Sequence, residues 1–236
     1  ATLALLDLDN VLVGLSMAAD QWPAEQALNW ASDMATVLQQ LGKKSAQQQV
    51  VAIRERLVEQ LGEGWSHIRF NAAMHHIENL AQQGDLGGAR TAAQTLLQQC
   101  LAIGEDAYPE AAYDLAMAHF LAGRHTQWVG NAAQAVPLLQ EARTRFQRLG
   151  SEDQSARRMT VAALGELGNC WRDLGKLEEA ADCYEQCAQE SEQEGNQREV
   201  AVSMVQLGTV RNDQRRYKEA LAAYKEAQGI FTGLNE

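Results

Sequence analysis

The chain has few prolines, few aromatic residues and no long uninterrupted apolar run. Three of its 236 residues are proline, and phenylalanine, tryptophan and tyrosine together make up 6%. Aromatic residues are enriched in strands and proline in the turns between them, so both shortages favour helices over a β architecture. The apolar opening, residues 3–19, is interrupted by Asp7 and Asp9 and lacks a basic flank. This pattern fits neither a secretion signal nor a membrane span.

Cysteine and positive charge are also scarce. The four cysteines, with no signal peptide, predict reduced thiols in a cytoplasmic protein and no disulfide framework. The net charge of −11 disfavours nucleic acid and anionic membranes as partners. Much of the acidic excess lies in residues 151–199, where we expect a solvated outer face of helices.

An internal repeat organises the second half of the chain. Residues 161–200 and 201–236 align at an offset of forty, which matches Leu167-Gly168 with Leu207-Gly208 and Tyr184 with Tyr224. Apolar residues recur at three and four residues in two stripes, separated by Gly175, and this spacing predicts a helical hairpin in each unit. Small residues at Gly168 and Ala180 allow the two helices to approach, and a larger residue at Gly168 should force them apart.

These positions resemble the tetratricopeptide repeat (TPR), a helical-hairpin repeat whose leucine-glycine pair, central alanine and aromatic stand here as Leu167-Gly168, Ala180 and Tyr184. The forty-residue period is similar to the long repeats of kinesin light chains and of repeat regions beside signalling ATPases. Arg211 departs from the pattern, because Trp171 supplies an aromatic at the same position of the previous unit. The resemblance implies an all-α, right-handed superhelical solenoid of antiparallel hairpins, with about eleven helices.

We expect an irregular N-terminal layer at residues 1–64, made of a helix pair (3–19 and 24–41) and an additional helix (45–61). Four TPR-like hairpins should follow, at residues 65–107, 108–150, 151–196 and 197–236. In the second hairpin, Leu115-Ala116 takes the place of Leu167-Gly168. That alignment requires a seven-residue insertion at Arg124–Gly130, formed either as a longer turn or by extended helices.

The opening segment supports two further interpretations. Its Leu8-Asp9-Asn10-Val11-Leu12 resembles the start of the helical region of STAND-class NTPases, which include bacterial transcription regulators. In that case the repeats would be a ligand-sensing, autoinhibitory part of a larger signal-transduction protein. We expect a longer natural chain, since residue 1 is not methionine. The same segment also resembles the first motif of haloacid-dehalogenase-type phosphatases, with Asp7 as nucleophile and Asp9 as acid/base.

No other residues suggest catalysis. The five histidines do not form a zinc-protease motif, and Cys183 and Cys187, one turn apart, supply at most half a thiolate site. We therefore predict no catalytic residues, no metal, no cofactor and no enzymatic activity. The favoured function is a scaffold that binds a peptide or helix of a partner protein in the concave groove lined by the first helix of each hairpin.

The groove-facing positions lie one step off the packing stripe of each first helix. The candidate partner-binding residues are Asn71, Met74, Glu78, Tyr113, Met117, Phe120, Asn169, Arg172, Thr209 and Asn212. Met117 and Phe120 could equally belong to the core. Arg172 could equally be held in an internal ion pair.

The last hairpin has no following helix in this sequence to cover its outer face. Leu207, Tyr217 and Leu221 should then be partly uncovered. This predicts either a longer natural chain or a homodimer through the uncapped C-terminal end.

Overall fold

The computed structural model describes residues 8–61, 64–150 and 153–234. These residues form eleven α-helices and no strand, which confirms the predicted all-α class. The helices are α1 (Leu8–Gln21), α2 (Ala24–Gln40), α3 (Lys44–Gln60), α4 (His67–Gln82), α5 (Leu86–Ile103), α6 (Ala111–Trp128), α7 (Ala132–Leu149), α8 (Gln154–Asp173), α9 (Leu177–Gln193), α10 (Gln197–Asp213) and α11 (Tyr217–Gly233).

Packing divides the chain into two units, and the division falls between His75 and His76, inside α4. In the first unit, α1, α2 and α3 contact one another around a core of leucine, alanine and valine side chains. These three helices correspond to the predicted helix pair and additional helix, and the predicted start at residues 3–7 lies outside the described residues. The proposed division into one layer and four hairpins stays a prediction.

In the second unit, each helix from α5 to α11 packs against the next, and α6 also contacts α8. Antiparallel neighbours with turns of a few residues are the arrangement of a helical-hairpin repeat. The hairpins α6/α7, α8/α9 and α10/α11 follow one another along the chain. Their contact around α7 and α8 is filled by a core of mostly small residues, capped by Phe120 and Phe146.

The turns inside the hairpins share one conformation. Gly84, Gly130 and Gly175 have positive φ values of 85°, 84° and 72°. After Gly175, the amide of Lys176 donates to the carbonyl of Trp171 at 2.8 Å. This bond closes a turn of six residues, from Trp171 to Lys176. This is the glycine-terminated helix end that a left-handed residue permits. Arg215 adopts the same conformation, with φ 61°, in the last hairpin.

The predicted close approach at Gly168 is confirmed. A Cβ built on Gly168 would lie 2.8 Å from Cε1 and Cζ of Tyr184, closer than real side chains allow. A Cβ built on the equivalent Gly208 would lie 2.7 Å from Cε1 of Tyr224. Glycine is needed here because the tyrosine ring lies directly on the helix backbone.

The matching of Leu115-Ala116 with Leu167-Gly168 is wrong, and the sequence holds no insertion at Arg124–Gly130. Helix α6 continues to Trp128, and the amide of Asn131 donates to the carbonyl of Thr126 at 3.1 Å, repeating the turn after α8. These bonds align α6 with α8 at a constant offset of 45 residues.

At that offset Gly123, not Ala116, is the equivalent of Gly168. A Cβ on Gly123 would lie 2.6 Å from Cγ of Leu139, the residue aligned with Tyr184. Gly123 is fully surrounded for the same reason as Gly168: a large side chain of the second helix lies on it. The stretch interpreted as an insertion is the last turn and a half of α6 together with the two turn residues after it.

Candidate functional site

A cleft of about 240 Å³ lies between α8 and α10, the first helices of the last two hairpins. Its lining includes Gly165, Glu166 and Asn169 from α8, and Glu199, Ser203 and Gln206 from α10. Tyr184 and Cys187 of α9 form its floor. Gly165 borders open space, since the nearest atom to a Cβ there, Sγ of Cys187, would be 3.9 Å away.

Asn169 is held in place by two hydrogen bonds within its own hairpin. The hydroxyl of Tyr184 donates to Oδ1 of Asn169 at 2.7 Å, and Nδ2 of Asn169 donates to Oε2 of Glu166 at 3.0 Å. Burial raises the pKa of Tyr184 well above its usual range, so the phenol stays a donor. The asparagine amide keeps one N–H and one lone pair for a further partner.

Arg172 lies one turn further along α8, and its side chain is half-buried. Nη1 donates to Oε1 of Gln206 on α10 at 3.3 Å, which ties the guanidinium to the wall of the cleft. In the described part of the chain Arg172 forms no ion pair. Its positive charge therefore lies near the cleft and is not neutralised by a carboxylate of its own repeat.

The same pattern recurs on α10 with weaker contacts. The hydroxyl of Tyr224 donates to Oγ1 of Thr209 at 3.2 Å, which corresponds to the Tyr184 bond at an offset of forty. Oγ1 of Thr209 in turn donates to the carbonyl of Val205 at 3.0 Å. Asn212 is exposed on the same helix. The tyrosine of the second helix thus positions a polar side chain of the first helix in both hairpins.

The three candidates from the second hairpin pack in or against the core, which is the alternative stated above for Met117 and Phe120. Phe120 is 4% exposed and lies in the core, which removes it from any ligand-contacting surface. Met117 packs against the same core. Tyr113 makes an edge-to-face contact with Phe146, with ring centroids 5.4 Å apart. Their side chains support the α6/α7/α8 packing.

At the corrected offset of 45, the residues of α6 that correspond to Asn169, Arg172 and Asp173 are Arg124, Gln127 and Trp128. The Arg124 guanidinium lies 5.2 Å from the ring centroids of both Phe120 and Trp128. Such stacking on two aromatic faces stabilises a cation away from water. Burial lowers the pKa of Arg124, an effect opposed by the charges of Glu166 and Glu78.

The neighbouring side chains connect α6 to α8. Nε2 of Gln127 donates to Oδ2 of Asp173 at 2.6 Å, between equivalent edges of two consecutive first helices. Trp128 is 44% exposed. Sequence reasoning left these residues either in a longer turn or in an extended helix, and the structure shows the extended helix. The glycine two residues after Trp128 was the signal that could have located the end of that helix.

The N-terminal candidates fall on both sides of the division within α4. Asn71 and Met74 belong to the first unit, and both are half-buried. Asn71 lines a cleft of about 430 Å³ in that unit, together with Ser32, Asp33 and His75. Glu78 belongs to the second unit and is half-buried.

The residues considered for catalysis are placed unfavourably for it. Asp7 lies outside the described residues, and Asp9 is in the first turn of α1, whereas the phosphatase motif requires a strand there. Burial raises the pKa of Cys170 to about 12 and of Cys183 to about 11, which disfavours the thiolates needed for metal binding or attack. Among the described residues no three histidine, cysteine or acidic side chains form a metal-binding group.

None of the described helices combines the length and the apolar character that a membrane crossing requires. All four cysteines are free thiols. Cys187 is buried and its thiol donates to the carbonyl of Val161 at 3.5 Å. The helical face shared by Cys183 and Cys187 is therefore used for packing.

Comparison with known proteins supports the repeat assignment. The sequence profile of the tetratricopeptide repeat matches residues 159–232, which cover most of the hairpins α8/α9 and α10/α11. No curated protein matches the sequence of the chain.

Solved structures share the fold over nearly the whole chain. BtubC (BKLC) from P. vanneervenii is 14% identical with a TM-score of 0.77, over 97% of this chain and 92% of that one. A putative kinesin light chain with nearly identical TPR-like repeats, from Podospora anserina, is 17% identical with a TM-score of 0.68, over 90% and 97% of the two chains.

The third similarity is to part of a larger protein. A STAND signal-transduction ATPase with a tetratricopeptide-repeat sensor, from Pyrococcus horikoshii, is 15% identical with a TM-score of 0.65. The match covers 92% of this chain and 35% of the ATPase. Residues 159–232 are therefore tetratricopeptide repeats, and the chain that contains them has the fold of these helical repeat proteins.

Proposed function

We propose that the chain is a non-catalytic interaction module that binds a peptide or helix of a partner protein along the first helices of its repeats. The cleft between α8 and α10, with Arg172 bound to its wall at Gln206, carries this proposal. A positioned guanidinium beside a cleft favours a carboxylate of the ligand, through a charge-assisted hydrogen bond. A neutral amide such as Gln206 can yield its place to that carboxylate at small cost.

The other groups of the cleft suit a peptide main chain. Glu166 and Glu199 offer acceptors for backbone N–H groups, and Asn169 keeps one donor for a carbonyl. Because Tyr184 fixes Asn169, little side-chain entropy is lost on binding. Thr209 and Asn212 extend the same polar edge along α10, and Arg124, Gln127 and Trp128 extend it along α6.

Peptides of about twelve to sixteen residues, displayed as a random library and selected on the chain, provide the test. We expect Arg172→Ala to weaken the selected acidic peptides by about 1.5–3 kcal/mol, with the melting temperature nearly unchanged. Arg158→Ala is the matched control, because Arg158 is an exposed arginine of the same helix. Isothermal titration and thermal melts measure the two effects separately.

Two results would contradict the proposed role of Arg172. Early unfolding of Arg172→Ala with normal binding of the folded fraction would make the residue structural. If the selected peptides bind Arg172→Ala with unchanged affinity but no longer bind Trp128→Ala, the binding site lies at the end of α6.

A second candidate function is a ligand sensor that holds an attached STAND-type NTPase inactive. The similarity to the repeat sensor of the Pyrococcus horikoshii ATPase favours it. Both functions use the same surface, and they differ in whether ligand binding changes the activity of an attached domain. A nucleotidase assay on a fused NTPase, with and without a selected peptide, separates them.

The remaining expectations belong to the same proposal. Four free thiols and no disulfide suit a reducing, cytoplasmic compartment. The net charge of −11 argues for protein ligands over nucleic acid. A homodimer through the outer face of α11 stays a prediction, and the chemistry of that face points to another occupant.

A further inference from the structure

Among the described residues no helix packs on the outer face of α11, whereas the same face of α9 is covered by α10. Tyr217, Leu221 and Tyr224 follow one another on this face and are 63%, 55% and 38% exposed. At the offset of forty, Leu221 and Tyr224 correspond to Ala181 and Tyr184 of α9, which are 0% and 2% exposed. Helix α10 packs on α9 and accounts for that burial. The α11 face has the shape of a helix-binding surface without its helix.

The charged residues beside this face show which helix would fit. On α9 the apolar stripe is flanked by Glu178 and Glu185, and the covering helix α10 places Arg211 between them. Nη1 of Arg211 lies 3.3 Å from Glu178, and Nη2 lies 2.6 Å from Glu185. The arginine is 12% exposed, so covering the stripe and neutralising the two carboxylates occur together.

The residue at the position of Arg211 suits the pair that it covers in both α7/α8 and α9/α10. The corresponding pair on α7 is Ala133 and Gln140, which are neutral, and the covering helix α8 carries the aromatic Trp171 there. In each case the covering side chain is complementary to the pair: an aromatic ring lies at a neutral pair, and an arginine lies at an acidic pair. The departure at Arg211 is therefore explained by the acidic pair that it covers.

On α11 the corresponding pair is Lys218 and Lys225, so the sign of the charge is reversed. Both lysines are exposed, and in the described part of the chain neither forms an ion pair. We propose that the outer face of α11 binds an amphipathic helix of a partner that carries a carboxylate at the position corresponding to Arg211. This surface is separate from the cleft between α8 and α10.

Charge favours such a helix over a second copy of the chain. Two α11 faces in contact would gather four lysines around one apolar patch. Helix α10 of a second copy, the helix whose apolar stripe fits this kind of face, would bring Arg211 against Lys218 and Lys225. Like charges at the edge of a contact oppose association, whereas a carboxylate is attracted by both lysines.

Two peptides of residues 197–213 test the proposal, one with the natural Arg211 and one with Arg211→Glu. We expect the glutamate peptide to bind the chain about tenfold more tightly at low salt, since one repulsive contact with two lysines becomes attractive. The preference should shrink in 0.5 M sodium chloride, because exposed charges are screened. Leu221→Asp should abolish binding of both peptides.

The reciprocal protein variant locates the effect. In the double variant Lys218→Glu, Lys225→Glu the preference should invert, and the natural Arg211 peptide should bind better. Equal affinity of both peptides for both proteins would overturn the proposal. A dimer of the chain without peptide that Leu221→Asp dissociates would also overturn it, because the occupant would then be a second copy.

Isolated peptides of this length are marginally stable as helices. The arginine and glutamate versions of the helix are therefore also compared as extensions of the chain itself. Residues 197–234 are appended after residue 236, which continues the forty-residue register, with arginine or glutamate at the position of residue 211. We expect the glutamate version to melt at the higher temperature and to shield Tyr217 from solvent. An arginine version that is equally or more stable would count against an acidic partner helix.

Discussion

The hairpins α8/α9 and α10/α11 have the same residues at their defining positions and differ in what surrounds them. In both, a glycine of the first helix lies under a tyrosine ring of the second, and the tyrosine hydroxyl donates to a polar residue of the first helix. Tyr184 is 2% exposed, and Tyr224 is 38% exposed. The hairpin motif therefore sets the contact inside each unit, and the next helix in the stack sets how much of that contact is shielded from water.

The tyrosines give the largest expected difference between the hairpins. We expect Tyr184→Ala to lower the free energy of unfolding by about 3–5 kcal/mol, as for a large aromatic removed from a core. Tyr224→Ala should cost about half as much, since part of its ring already contacts water. Urea denaturation of both variants measures the difference. Equal costs would mean that the α10 cover contributes nothing to the contact inside the hairpin.

Substitutions of the two glycines of α8 should change the free energy of unfolding by an intermediate amount. Gly165, three residues before Gly168, is the control position. Gly168→Ala forces a methyl group against the Tyr184 ring and should cost about 1–3 kcal/mol. Gly165→Ala meets only Sγ of Cys187 at 3.9 Å and should gain up to about 1 kcal/mol from helix propensity.

Gly208→Ala in the last hairpin should cost less than Gly168→Ala, because the partly exposed Tyr224 can move outward. Thermal melts of the three variants rank these effects. A larger loss for Gly165→Ala than for Gly168→Ala would contradict the hairpin register described above.

The turns give the smallest effect, in opposite directions in the two hairpins. Gly175 and Arg215 occupy equivalent positions with φ values of 72° and 61°, a region that favours glycine. We expect Arg215→Gly to raise the free energy of unfolding by about 0.5–1 kcal/mol, and Gly175→Ala to lower it by a similar amount. Nothing lies within 4 Å of a Cβ on Gly175, so its loss would report backbone strain alone. Equal melting temperatures for Arg215→Gly and the natural chain would show that the left-handed turn is not strained.

Sequence periodicity located the last two hairpins and failed on the one before them. There, Ala122-Gly123 takes the place of Leu167-Gly168, and the leucine of the pair is missing. Leu115-Ala116 lies seven residues earlier, which is two helical turns and therefore the same face of α6. A pattern with a period of 3.6 cannot distinguish two positions that differ by two turns, and only the glycine turn after Trp128 fixes the true register.

The candidate site was predictable to the same extent. Asn169, Arg172, Thr209 and Asn212 stay candidates, and the forty-residue repeat selected them because it placed them next to a well-defined packing stripe. Phe120 was proposed for the groove but lies in the core, and since the shift of seven residues keeps the same face of α6, periodicity alone could not separate the two environments. Arg124 and Trp128 were missed as a stacked pair, since their contact depends on the helical course of α6 and not on a motif.

The sequence by itself determined the helices, the close glycine and tyrosine contacts and the repeat of forty residues, because each depends on residues near one another in the chain. The tertiary structure decided which of the two equivalent faces, on α9 and on α11, is buried, which side chain Arg172 contacts and why residue 211 is an arginine. These properties depend on the neighbouring helix, and a hairpin sequence alone does not specify what packs against its outer face.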